Sequence, residues 1–477
     1  MRKFSIIALS ILLVMSFTAI AYAIHLPEQP EGESVVVAKG GADITLGGRI
    51  LVRGWYFNDI SGGSLPEDTG SEAAYTTNLY LFVDAKITDN LQAFMELETS
   101  SGDTPTQSGL YFWGANDSKP AADLWFRQAW IQYTGSGLLG VPAGLKVGHQ
   151  LLTLGEKQFY NMERFGTDAI VVFVQPVPEL HLAALTAKHV EGSPASSGDD
   201  LDAYALTGTY KLDKDNTLGL FVAYAIMNDV KSVFGEWAND PAVDTLGLGN
   251  VGLHANGKLM GALTYAAELD WQFGGVDLVG GDSIDAKGWA IMAKLGYAIP
   301  NAPLTIRGSF AMGSGEDAED ADEFGEFQYI GPADTESKYA RFVHYTQIYE
   351  RSVATASFNQ LIAGQAEDSS NRNTGIANTT YLNLGLDFMP MKDLSLSLDG
   401  FWLQATETGA WEDEVGASVD EDLGWEIDFK GSYKITKNLT YFVEAGWFDA
   451  GDFYKDAYGI SDPKGVTQIV HGLNLTF

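Results

Sequence analysis

The sequence contains no cysteine. That excludes disulfide frameworks, cysteine-based zinc sites, thiol nucleophiles, iron–sulfur clusters and covalently attached haem. Positive charge is scarce too: 29 Lys and Arg stand against 63 Asp and Glu, a net charge of −34. With no basic footprint to neutralise phosphates, the chain is not expected to bind nucleic acid. Long hydrophobic runs are also missing after the first two dozen residues. The most apolar later stretch, 169–174, is stopped by Pro176 and Pro178, far short of the roughly 18 apolar residues of a spanning helix. The catalytic signatures are absent as well. None of the seven histidines falls in HExxH or at i,i+4 spacing, and no G-x-S-x-G elbow occurs. Two G-x-G-x-x-G matches, at Gly135 and Gly247, are what 53 glycines produce by chance, and neither opens a helix after a strand. The sequence therefore predicts no enzyme and no cofactor.

What is present begins with a targeting segment. Arg2 and Lys3 precede an apolar stretch at 4–17, and Ala21-Tyr22-Ala23 supplies a small-x-small cleavage site. Residues 1–23 are expected to be a signal peptide, 24–41 a short periplasmic segment, and 42–477 one domain. Sheets closed into barrels run long as single domains, so this length does not require several units.

That domain is written at a period of two, the pattern of strands with one apolar face. Ile44, Leu46, Ile50 and Val52 alternate with Asp43, Thr45, Arg49 and Arg53. Leu79, Leu81, Val83 and Ala85 then oppose Asn78, Asp84 and Lys86. A polar turn at 88–90 leads into Leu91, Ala93, Met95 and Leu97 against Gln92, Glu96 and Glu98, a hairpin. Further tight turns are expected at 175–179, 213–216, 254–258, 298–303, 389–393 and 436–438, with a looser one at 135–144. Longer polar segments separate the hairpins, and weak strands near 169–175 and 245–253 complete the count. The reading is all-β: a closed transmembrane antiparallel β-barrel of about eighteen strands, sixteen being the alternative, with short periplasmic turns and long extracellular loops. In lipid every backbone amide must be paired, so only a sheet without edges can span.

The chain ends on an alternating strand, Thr467, Ile469, His471, Leu473, Leu475 and Phe477. Aromatics gather where strands meet long loops, at Trp55-Tyr56-Phe57, Trp271 with Phe273, Phe401-Trp402 and Trp447-Phe448, as an interfacial girdle would require. The terminal Phe resembles the assembly signal of Gram-negative outer-membrane barrels, and the whole pattern resembles the porin family. The third long loop, 150–168, follows Gly144-Leu145-Lys146-Val147-Gly148-His149-Gln150 and carries Glu156, Lys157, Glu163, Arg164 and Asp168. Phe126-Arg127-Gln128-Ala129-Trp130 is similar to a porin strand that supplies an inward arginine.

The resemblance implies a third loop folded into the lumen, its acids facing a basic wall built from Arg49, Arg53, Arg127 and Lys146. It also implies a homotrimer in the outer membrane, in contact with lipid and lipopolysaccharide. The expected function is passive diffusion of small hydrophilic solutes or ions, with cation preference following from the negative charge. Acidic runs at 316–326 and 412–422 would form a vestibule. The alternative is a barrel sheath or scaffold for an electron-transfer cytochrome or another outer-membrane partner. A gated transporter with a plug domain fails on length, since only 24–41 precede the first strand.

Overall fold

The computed structural model describes residues 35–38, 42–59, 65–67, 69–99, 111–114, 124–137, 140–192, 200–228, 243–278, 280–317, 322–331, 345–358 and 374–477. The expected signal peptide 1–23, most of 24–41, Glu319, Asp320 and His344 lie outside the described residues. The strands of the wall are β1 (Asp43–Asn58), β2 (Ser71–Thr88), β3 (Leu91–Thr99), β4 (Leu124–Ser136), β5 (Pro142–Gln150) and β6 (Thr167–Val177). Then follow β7 (Leu180–Val190), β8 (Leu201–Lys211), β9 (Asn216–Met227), β10 (Val243–Leu259), β11 (Leu263–Leu278) and β12 (Trp289–Ala298). The last six are β13 (Leu304–Gly313), β14 (Thr379–Met391), β15 (Leu394–Ala405), β16 (Asp422–Lys434), β17 (Leu439–Ala450) and β18 (Gly465–Thr476).

Each strand pairs antiparallel with the next, and β1 pairs with β18 from Arg49↔Thr476 to Asn58↔Thr467, which closes the barrel. At the seam Gly48 and the terminal Phe477 exchange backbone hydrogen bonds of 2.8 and 3.0 Å. The C-terminal residue thus sits where the sheet joins itself.

Short connections alternate with long ones all the way round, as the polar segments predict, and both weak strands form. One turn was misplaced. Residues 254–258 are strand, and the chain reverses at Met260-Gly261-Ala262, where Met260 and Gly261 take φ of 51° and 71°. His254, Asn256 and Lys258 look turn-like in sequence because they point into the lumen, where alternate positions are polar for a different reason.

Alternation assigns the two faces. Leu206, Leu382, Leu384 and Ile131 stand outward and exposed, the surface a lipid-embedded barrel presents. The expected aromatic girdle is halved by the same alternation. Tyr56, Trp402 and Trp447 face out, while their neighbours Trp55, Phe57, Phe401 and Phe448 are buried inside. No helix among the described residues is long and apolar enough to cross a membrane, which says nothing of strands.

Candidate functional site: the lumen and its infolded loops

The third loop enters the barrel as a small hairpin. Met162 N–H donates to Leu152 O (2.8 Å) and Leu154 N–H to Tyr160 O (3.1 Å), while Gly155 and Lys157 take the left-handed backbone of the turn. Its apolar residues Leu152, Leu154, Phe159 and Met162 are buried. They share one cluster with inward residues of β6 to β10 such as Val171, Leu185, Phe221 and Leu248. The inner wall of this arc is apolar, unusual for a lumen, because the loop rests on it.

The seventh loop, between β13 and β14, meets the third. Asn161 N–H donates to Ile330 O (2.9 Å) and Ile330 N–H to Phe159 O (2.8 Å). Further along, residues 345–358, with helix α1 at Tyr349–Ser352, are buried almost throughout. Residues 314–317 and 322–326 lie against each other: the Glu316 carboxylate accepts from the Gly325 and Glu326 amides (2.7 and 3.2 Å). Burial pushes the Glu316 carboxyl above its usual range despite those bonds.

Three acid-x-acid pairs on the wall fasten these loops, since residues two apart on a strand share a face. On β3, Glu98 receives a two-pronged bond from the Arg164 guanidinium (2.8 and 3.0 Å), and Glu96 binds Arg127 (2.9 Å). On β11, Glu268 accepts the Glu156 amide of the third loop, while Asp270 accepts from Asn250 (2.7 Å). On β16, Glu426 accepts the amides of Gln347 (2.8 Å), Ile348 (2.7 Å) and Tyr349 (2.8 Å), and Asp428 accepts from Gln347 (3.1 Å). Within the seventh loop, Glu326 accepts from the Ser357 hydroxyl and the Phe358 amide. Glu96, Glu98, Glu268, Asp270, Glu426 and Asp428 are the residues that composition and the porin likeness did not single out. The signal was legible: Glu96-Leu97-Glu98, Glu268-Leu269-Asp270 and Glu426-Ile427-Asp428 each place two carboxylates on the inner face of a strand.

The expected constriction residues divide. Arg127 and Arg164 converge: Arg127 is the extra residue of a bulge opposite Glu96 and Leu97, which turns it inward beside Gln128. It also donates to the Glu163 and Arg164 carbonyls (3.0 and 3.3 Å). Lys157 and Glu163 pair with each other inside the loop (2.6 Å), and the Glu156 side chain accepts from Asn256 (2.7 Å). Arg49 lies over the Tyr80 ring at 3.7 Å, and Arg53 lies over Trp55 at 4.6 Å and donates to Asn78. Lys146 faces the lumen over Trp130. Asp168 stands apart. Its side chain is 72% exposed on the outer face, bonded to His149 (2.9 Å) and paired across the strands with Lys188. It belongs to β6 and not to the loop, so the lumen-facing role that the porin resemblance implied for it does not hold.

This architecture meets its relatives over nearly its whole length. The chain matches alginate export over residues 46–466. The chain belongs to the alginate export family. Alginate export barrels are thus the setting for the infolded loops just described. Among solved structures, this family member is similar to Pseudomonas aeruginosa OccK8 (OprE), at TM-score 0.53 and 12% identity, covering 91% of this chain and 98% of that one. Pseudomonas aeruginosa OccK11 (OpdR) has TM-score 0.50 and 12% identity, with 91% and 95% covered. Pseudomonas aeruginosa OccK5 (OpdH) has TM-score 0.50 and 12% identity, with 91% and 98% covered. At such identities the likeness establishes the fold. No curated protein sequence matches the chain.

Proposed function

We propose that the protein is an outer-membrane channel through which small hydrophilic solutes or ions diffuse, narrowed by the third loop joined to the seventh. The observation that carries this reading is the pair of backbone hydrogen bonds between residues 159–161 and Ile330 inside a closed barrel. Two loops from separate parts of the wall meet in the lumen, and the bore is set by where they leave space. That filling also argues against the sheath alternative, since a barrel occupied by its own loops is poorly shaped to enclose a partner protein.

The sign of the selectivity follows from the wall, not the mean charge. Cation preference was the expectation from −34, but Glu96 and Glu98 are ion-paired with guanidinium groups, and Glu268, Asp270, Glu426 and Asp428 are buried away from the open bore. Lys294 and Lys430 sit on the inward face and remain exposed, and Arg49 is held by a ring. The reading is therefore a weak preference for anions. The family's name points the same way, because alginate is a chain of uronic acids; a short uronate oligomer is the first solute to try.

The test is single-channel recording of refolded protein under a KCl gradient. Discrete steps with a reversal potential on the chloride side are expected, and Arg49→Gln with Lys294→Gln should move that potential towards potassium. A folded barrel without conductance refutes the channel. A wild-type potential on the potassium side refutes the sign and leaves the channel standing.

A further inference from the structure

Lys146 is 2% exposed. No described hydrogen bond or ion pair reaches its ammonium, which instead stacks over Trp130 at 4.1 Å. A charge in that position is costly unless something pairs with it, because burial removes water without supplying a counter-charge. The lysine borders a cavity of about 360 Å³ whose lining includes Pro142, Val171, Phe173 and His181 together with the amide side chains of Gln150 and Gln175. The strands explain the hollow. Lys146 lies opposite Val171, and Gly144 lies opposite Phe173. A Cβ on Gly144 would collide with the Phe173 ring, so only glycine lets that ring lie flat on the wall and keep the space open. Among the described residues Lys146 is the one cation of the lining, Asn90, Thr134, Gln150 and Gln175 add neutral polar groups, and Pro142, Ala143, Val171 and Phe173 supply the apolar wall. One cation at the edge of an apolar hollow matches a molecule with one carboxylate and an apolar body.

We propose that the wall pocket beside Lys146 binds small amphipathic monocarboxylates, aryl- or alkyl-carboxylates reaching it from the lumen. The carboxylate pairs with the Lys146 ammonium, and the apolar body lies between Pro142, Val171 and Phe173. The proposal rests on the channel reading for access alone, and it names a narrower class of solute than that reading does.

The experiment is calorimetric titration of the full-length protein in detergent with 3-phenylpropionate, its neutral amide 3-phenylpropionamide, and acetate. Phenylpropionate is expected to bind at least tenfold more tightly than either of the others. Lys146→Gln should weaken it at least tenfold and Lys146→Arg much less. Phe173→Ser, which removes no charge, should also weaken it, and an unchanged heat-dependent gel shift confirms that each variant is folded. Equal binding of the amide overturns the role of the ammonium, and equal binding of acetate overturns the apolar half. No binding by a protein that conducts overturns the site and leaves the channel; binding by a protein that does not conduct does the reverse.

Discussion

Glu426 holds the seventh loop in the lumen, and removing it should release that loop. In Glu426→Ala the Gln347 amide keeps Asp428 as an acceptor, but the Ile348 and Tyr349 amides lose theirs. Each buried donor left unsatisfied costs about 1–3 kcal/mol, so two cost roughly 2–6 kcal/mol. At about 1.4 kcal/mol per factor of ten, that shifts the ratio of seated to displaced loop by about 30-fold to 10⁴-fold. Water entering the lumen would satisfy the freed amides and bring the effect towards the lower figure. Two assays read it. Single-channel current should rise and become noisier as the obstruction leaves the bore. Trypsin should cut after Arg351, which is 5% exposed in the seated loop, faster in the variant than in the wild type. If Glu426→Ala and the double variant Glu426→Ala/Asp428→Ala both keep wild-type conductance and resist cleavage at Arg351, the carboxylates are not the fastening and the argument fails.

Arg164→Ala should cost up to about 3–5 kcal/mol, because it removes both hydrogen bonds to the fully buried Glu98 and leaves it only the Arg127 guanidinium at 3.7 Å; the temperature at which the folded form is lost on a denaturing gel would show it, and Glu98→Gln in the same background should recover part of the loss. Glu316 gives a pH dependence. Its folded-state pKa is raised, so the folded loop binds a proton that the unfolded one releases, and stability there falls as pH rises from the ordinary carboxyl value through the raised one. Hydrogen exchange at the Gly325 and Glu326 amides should quicken over that interval, and Glu316→Gln should abolish the pH dependence; exchange that slows with rising pH beyond the intrinsic trend would contradict the sign.

The period-two pattern made the wall legible because lipid outside and lumen inside impose opposite demands on successive residues. It failed where that contrast breaks down. His254, Asn256 and Lys258 alternate with small residues, so a strand with a polar lumen face looks like a turn. Asp168 is expected in the lumen only through the porin resemblance, and it belongs to β6 and not to the loop. Trp55 and Phe57 were read as lipid-facing, yet they are buried inside, where Trp55 meets Arg351 of the seventh loop at 5.5 Å. The largest omission was that loop itself. Its acidic run suggested a solvated vestibule, while Phe327, Tyr329, Ile330, Ile348, Tyr349 and Val353 are all buried. Apolar residues scattered in a charged loop have no periodicity to betray them. The paired carboxylates on β3, β11 and β16 were the better clue, since a strand facing only water has little reason to set two acids side by side.

The seating of the seventh loop also carries a history. Residues 345–358 touch both ends of the chain at once: Arg351 lies against Trp55 of β1, Gln347 to Tyr349 donate to β16, and the Ser352 hydroxyl reaches Gln468 of β18 at 3.4 Å. Those surfaces come together only when β1 has joined β18. The full set of contacts of 345–358 therefore exists only in the closed barrel, whereas the third loop finds its partners on β3 and on β6 to β11 without that seam. On the channel reading proposed above, the bore reaches its final width only once that segment has found its place.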